Sequence, residues 1–175
     1  MEPYAIVVID VWDTNNLANK NLLSMYEQMT QRICLMIKDQ PNTHINRVLV
    51  TNYNAETQRI HPNLHAAIYD SENKEYHKNC LFTSNRNKAI AWLADKNIKK
   101  LYYTGSSMPG CVSDRPLGLK NMPDSFEKFI VMDAISLVTS YELSDWGVMH
   151  DMYMSTIQLA NQSGWNITWS NQLCE

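Results

Sequence analysis

The strongest constraint on this chain is a repeated alternation. Short, nearly continuous apolar runs stand between stretches with helical spacing. Tyr4 to Ile9 is such a run and ends at Asp10; Val48-Leu49-Val50, Leu101 to Thr104, Phe129 to Met132 and Trp165 to Trp169 are others. Runs of this kind suit strands buried on both faces, the environment of a parallel sheet. Between the first two, Leu22, Met25, Met29, Ile33 and Met36 recur every three or four residues. That spacing predicts a helix, capped at Asn15 or Asn16 and fading near Gln40, because Pro41 disfavours helix before it. Ser84 can cap a second helix through Asn97, and Trp146 to Asn161 forms a third, stopped by Gly164. The stretch from Asn52 to Tyr76 reads mainly as loop, with a helical turn around Pro62 to Ala67; an extended segment over Glu75 to Leu81 follows. Strands alternating with helices require right-handed crossovers. The expected fold class is therefore α/β: three αβα layers around a doubly wound, mostly parallel sheet.

Ligands of such sheets bind beyond the carboxyl ends of the strands. Asp10, Asn52 and the turn from Gly105 to Cys111 all fall at such ends. The 175 residues are read as one domain, 1–175. A net charge of -3 offers no basic stripe and excludes the usual nucleic-acid binder. No apolar run approaches the ~20 residues of a membrane span, and Glu2 and Asp10 make the opening unlike a signal peptide. Cys34, Cys80, Cys111 and Cys174 show no CxxC spacing, so a reducing cytoplasm is the expected location.

The chemistry centres on Tyr102-Tyr103-Thr104-Gly105-Ser106-Ser107-Met108-Pro109-Gly110-Cys111-Val112. An apolar strand runs into a turn of small residues and delivers a thiol to a helix start, where partial positive charge favours the nucleophilic thiolate. A small buried residue at a strand–helix junction is the simpler alternative. Asp10 ends the first strand, where a carboxylate is costly unless paired or used. It either caps the next helix or exchanges a proton with a nearby thiol. Lys78, in Tyr76-His77-Lys78-Asn79-Cys80-Leu81-Phe82, is either a solvated surface charge or a cation that holds the carboxylate and favours the thiolate.

These residues together resemble the isochorismatase-like cysteine hydrolases, which include nicotinamidases and N-carbamoylsarcosine amidohydrolases. The resemblance runs over nearly the whole chain. It rests on Ile9-Asp10-Val11-Trp12, on Lys78 before Phe82 and the following helix, on the spacing from Gly105 to Cys111-Val112, and on Asp133-Ala134 at the next strand end. It implies an isochorismatase-like fold, a catalytic triad of Asp10, Lys78 and Cys111, and no cofactor. The thiol would attack a carbonyl carbon of a small amide or ureide, forming a thioester that water hydrolyses. It also implies an oxyanion hole from the N–H groups of Met108 and Cys111, a cis peptide between Ser107 and Met108, and a homo-oligomer, dimer or tetramer.

The departures from that pattern are equally specific. Asn52-Tyr53-Asn54 stands where nicotinamidases carry an Asp-x-His metal motif, and neutral amides are poor transition-metal ligands. His61 and His65 have i,i+4 spacing but no companion carboxylate or thiolate in register, so a loop or surface role is expected and no metal site. Met108 replaces the family's usual threonine, and Pro109 and Gly110 stiffen the turn. Arg115 either contacts an anionic substrate group or pairs with Asp114 or Asp133. Trp12, Tyr53 and Phe82 adjoin strand ends as pocket walls or core residues, and Asn52 and Ser107 complete the substrate-binding set. The expected partner is a small molecule, with no nucleic acid and no membrane. The alternatives are a binding or sequestering protein without turnover, or a vinyl-ether hydrolase of the isochorismate type.

Overall fold

The computed structural model describes residues 2–14, 20–38, 47–51, 60–137 and 146–173, with the side chains of 20–22 and 146 left out. The elements are β1 (Tyr4–Ile9), α1 (Lys20–Lys38), β2 (Arg47–Thr51), α2 (Pro62–Ile68), β3 (Tyr69–Asp70) and β4 (Glu75–Tyr76). Then come β5 (Cys80–Phe82), α3 (Arg86–Asp95), β6 (Lys100–Ser106), α4 (Cys111–Asp114), β7 (Glu127–Ser136), α5 (Trp146–Ser163), β8 (Asn166–Thr168) and a 3-10 turn, Ser170–Leu173. Six strands form one sheet in the order β5-β2-β1-β6-β7-β8. Every pairing in it is parallel. The expected doubly wound α/β fold is therefore the observed one. β3 and β4 pair antiparallel as a separate hairpin.

Alternate side chains of the central strands feed two apolar layers. Val7, Ile9, Leu101 and Tyr103 pack with Ala89 and Leu93 of α3, Val112 of α4 and Ala160 of α5. Ile6, Val8, Val48 and Val50 pack on the other side with Met29, Ile33 and Ile37 of α1 and Leu64 and Ile68 of α2. Both layers cover the sheet because β1 and β6 are apolar at every position between Ala5 and Ile9 and between Leu101 and Tyr103. Among the described residues, no helix is long and apolar enough to cross a membrane.

The differences from expectation are local and have physical causes. Asn85, one residue after Ser84, caps α3, its carboxamide accepting the Lys88 N–H at 3.0 Å. The extended segment over 75–81 divides, since the chain turns at His77, whose carbonyl accepts the Cys80 N–H at 2.7 Å. β7 runs on past Asp133 to Ser136 by bulging: its register against β6 shifts between Tyr103↔Ile130 and Gly105↔Ile135. Asp133, in the bulge, accepts the Ser170 N–H at 2.8 Å and the Ser170 hydroxyl, tying β7 to the closing 3-10 turn. The α1 cap proposed at Asn15 or Asn16, and Cys174, lie outside the described residues.

Gly105 is where the sheet admits the cysteine turn. Its φ of +110° lies in the region that favours glycine, and a Cβ there would meet the Ile9 carbonyl oxygen at 2.0 Å. Backbone must move to relieve such a contact, and that backbone leads into Asp10. Gly105→Ala is expected to destabilise the fold by about 3 kcal/mol or more. A chemical-denaturation midpoint within error of wild type would contradict this.

Candidate active site

β1 delivers Asp10 to the carboxyl edge of the sheet. The ladder ends with the Asp10 N–H donating to the Thr51 carbonyl at 2.9 Å. Asp10 then adopts φ +51°, which turns the chain out of the strand, and its side chain is wholly buried. Asp tolerates this left-handed conformation better than most residues. β6 delivers the cysteine turn to the same edge through its pairing of Gly105's strand with β1, Ile9 lying opposite Gly105. Cys111 opens α4, and its thiol is hydrogen-bonded to the Asp10 carboxylate. The expected meeting of Asp10 and Cys111 is therefore formed.

Lys78 does not join them. β5 begins after Lys78, and its register places Cys80 beside Val48, which lies beside Ile6. Cys80, level with Ile6, is already four strand residues, about 13 Å, short of Asp10 and two strands away, and Lys78 precedes it in the turn. Lys78 is exposed there. The cation beside Asp10 is Arg115, whose Nε lies 2.6 Å from Oδ2 of the carboxylate. The Arg115 side chain is 22% exposed and the Asp10 side chain 0%.

Local sequence explains why Arg115 points there. α4 is a single turn, so Cys111 and Arg115 stand at i and i+4 on one face. Pro116 then ends the helix and fixes Arg115 in extended backbone, at φ -61° and ψ 159°. The carbonyls of Asp114 and Arg115 are each bound by the Asn121 carboxamide at 2.9 Å. Lys128, 5% exposed, donates to the Leu119 and Met122 carbonyls at 2.9 and 2.7 Å, holding the loop that carries Asn121. Asp114 pairs with Lys120 instead, and Asp133 binds Ser170, so neither expected partner of Arg115 is the one it uses.

The turn before Cys111 differs in detail from expectation. The non-proline cis peptide joins Ser106 and Ser107, one bond earlier than expected, and Met108–Pro109 is also cis. Met108 is fully buried, and its N–H donates to the Ser136 carbonyl at 3.0 Å. That donor is engaged by the sheet, so Met108 does not present it to an oxyanion. The Cys111 N–H donates to no described backbone carbonyl. Ser107, 2% exposed, gives its N–H to the Cys111 sulfur and its carbonyl to the Val112 N–H at 3.1 Å.

Burial pushes the Cys111 thiol above its ordinary range; the hydrogen bond to Asp10 and the charge of that carboxylate push the same way. Arg115 and the Ser107 N–H pull it down without reversing the balance. The helix start does not offset that upward push, since α4 has only four residues and a short helix carries little dipole.

The remaining residues divide. Trp12 adjoins the site: its N–H donates to the Tyr26 hydroxyl at 2.8 Å, and its buried indole N–H has no acceptor among the described residues. Phe82 stacks on Tyr76 with ring centroids 6.1 Å apart, in an aromatic group with Tyr69 and His65. His61 caps α2, Nδ1 accepting the Asn63 N–H at 3.2 Å, which leaves Nε2 to donate to Glu27 at 3.0 Å. It is 3% exposed, not a surface residue. Among the described residues, no three His, Cys, Asp or Glu side chains group to hold a metal. Asn52, Tyr53 and Asn54 lie outside the described residues. Tyr26 is the site-adjacent residue that motif spacing misses; a tyrosine on the buried stripe of α1, whose hydroxyl must find a partner, is the available signal.

No protein-family model matches the sequence, and no curated protein matches it. Solved structures do. Nicotinamidase PncA from Bacillus subtilis is similar over 96% of this chain and 99% of its own, at 14% identity and a TM-score of 0.64. An isochorismatase from Pseudomonas putida KT2440 is similar over 97% of this chain and 89% of its own, at 11% identity and a TM-score of 0.64. The YcaC gene product of Escherichia coli, an octameric hydrolase of unknown specificity, is similar over 99% of this chain and 78% of its own, at 14% identity and a TM-score of 0.59. This chain has the isochorismatase-like fold.

Proposed function

We propose that the chain is a cysteine-dependent hydrolase of the isochorismatase-like superfamily, cleaving a C–N bond of a small amide or ureide through a thioester. The observation that carries this reading is the Cys111 thiol hydrogen-bonded to a carboxylate that is itself wholly buried and paired with Arg115 at 2.6 Å. A buried carboxylate of this kind is costly unless it has a task or a partner, and here it has both. The hydrolases among the similar folds support the same reading.

The steps use the chain's own groups. The Asp10 carboxylate takes the proton of the Cys111 thiol as its sulfur bonds to the substrate carbonyl carbon. The carbonyl oxygen gains negative charge, for which the Cys111 N–H, bound to no described backbone carbonyl, serves as donor; a donor of this kind is worth about 3 kcal/mol in the transition state. The C–N bond breaks, and the leaving nitrogen takes the proton from Asp10. Water then attacks the thioester carbon, giving its proton to Asp10. The C–S bond breaks, the acid departs, and the thiolate recovers the proton. Arg115 keeps the carboxylate aimed at the thiol through both halves, the role first expected of Lys78. Ser107 borders the sulfur and, with Trp12, contacts the substrate. Assembly into a homo-oligomer belongs to the same reading. It is supported by the octameric fold relative and by exposed Val148, Met154, Ile167 and Trp169.

Cys111→Ala is expected to abolish hydrolysis across a panel of amides and ureides, and intact mass spectrometry of the wild type should find an acyl adduct on Cys111. An adduct on Cys80 would defeat the assignment. Arg115→Gln is expected to lower kcat at least tenfold while Lys78→Ala leaves it unchanged; the reverse ranking would restore the lysine to the site. The direction of the thiol's titration gives a third outcome. Asp10 raises the Cys111 pKa and Arg115 lowers it, so Asp10→Asn should make the thiol more acidic while eliminating turnover. The midpoint of iodoacetamide labelling against pH should fall, and a rise would contradict the electrostatics.

A further inference from the structure

We propose that Tyr26 is the positioning residue of this site, its hydroxyl locking the backbone that leaves Asp10 so that the carboxylate meets the Cys111 thiol. The inference rests on the reading of Asp10 as the base. The Tyr26 hydroxyl donates to the Asp10 carbonyl at 2.7 Å and accepts the Trp12 N–H at 2.8 Å. Those two groups flank Val11, immediately after the chain leaves the sheet at Asp10 with φ +51°. Having left the ladder, they need partners if they are buried. A phenol hydroxyl serves both at once, being donor and acceptor, where a phenylalanine serves neither.

The lock is mounted on a rigid support. Tyr26 is 5% exposed, and its own carbonyl accepts the Thr30 hydroxyl at 2.9 Å. Met29, Ile33 and Ile37 of the same helix are packed in the layer beneath the sheet. The next residue, Glu27, accepts the Thr14 hydroxyl at 3.0 Å and binds His61 at 3.0 Å. The segment from Asp10 to Thr14 is thus pinned at both ends by neighbouring residues of α1. Burial, with the nearby Asp10 and Cys111, pushes the Tyr26 phenol above its ordinary range, so it stays protonated and remains a donor. Tyr26 touches backbone and not the reacting atoms; its effect on chemistry passes through the direction of the Asp10 side chain.

The test is the pH profile of Cys111 alkylation by iodoacetamide, followed at the Cys111 peptide by mass spectrometry. It compares wild type, Tyr26→Phe, Asp10→Asn and the double variant. A loosened carboxylate raises the thiol less, so Tyr26→Phe should lower the midpoint by about half a pH unit or more. Asp10→Asn should lower it further, and the double variant should match Asp10→Asn alone. A Tyr26→Phe profile that overlays wild type while Asp10→Asn shifts would overturn the positioning role and leave Asp10 as base. Shifts that add in the double variant would overturn it too, since Tyr26 would then act independently of Asp10. If neither single variant shifts the profile, the reading of Asp10 itself fails. Should Tyr26→Phe not fold, amide hydrogen exchange on the wild type decides. Trp12 protection comparable to the amides of β1 supports the lock, and exchange at the rate of an exposed turn overturns it.

Discussion

The arrangement depends on one buried charge. The Asp10 side chain has no exposure, and an ionised carboxylate taken out of water carries a penalty of several kcal/mol unless a cation and hydrogen bonds offset it. Arg115 supplies the cation, and its position explains the otherwise irregular chain that follows the nucleophile. A longer α4 would carry the polypeptide away from Asp10. Pro116 stops it after one turn, Asn121 takes the freed carbonyls, and the buried Lys128 ammonium holds the loop from the inside. Gly118 lets that loop fold close, since a Cβ there would meet the Ser113 carbonyl oxygen at 2.6 Å. The interruption at Pro116 and Gly118 is thus the means by which the guanidinium returns to the carboxylate.

The fold was legible because periodicity is a property of whole segments. Every apolar run named as a strand is one, α1 lies within its expected span, and α2 forms where Pro62 suggested a helical turn. Half of the site was legible for a related reason. Asp10 and Cys111 end or follow strong central strands, and parallel pairing brings such ends together whatever their separation in sequence. Lys78 misled because its spacing to the next helix fits, whereas its place along the sheet depends on where a three-residue edge strand begins. Nothing in Tyr76 to Phe82 marks that start, and a shift of a few residues moves a side chain from one end of a sheet to the other. Arg115 carried a signal that was open to reading. A residue four positions after Cys111 at a helix start lies on its face, and so does Asp114 at i+3, but Asp114 pairs with Lys120.

The electrostatics of the thiol decide between two kinds of cysteine chemistry. A thiolate preformed by a helix dipole needs a helix of some length and a net positive setting. Here four helical residues face a carboxylate, and burial adds to the upward push on the thiol. Arg115 is bound to the same carboxylate, so much of its field at the sulfur is cancelled. On the proposed mechanism, a neutral thiol that ionises only as it attacks accords with that balance. It also places the demand on geometry: the base must already be in contact, because no standing population of thiolate compensates for a misplaced one.

That demand gives the cysteine turn and α1 complementary tasks. Met108 is fully buried and its N–H is bound to the Ser136 carbonyl, so the turn is fastened to β7 beyond the bulge. Ser107 then contacts the sulfur through its N–H and the start of α4 through its carbonyl. Cys111 is fixed from the β7 side and Asp10 from the α1 side. Fastening Met108 to the sheet removes one N–H from the expected oxyanion pair and leaves the Cys111 N–H, which donates to no described backbone carbonyl. On the proposed mechanism, a carbonyl oxygen bound there is held by backbone at the head of α4. Acceptance of a substrate therefore turns on whether its carbonyl reaches the Cys111 N–H while its leaving nitrogen stays within proton-transfer distance of Asp10.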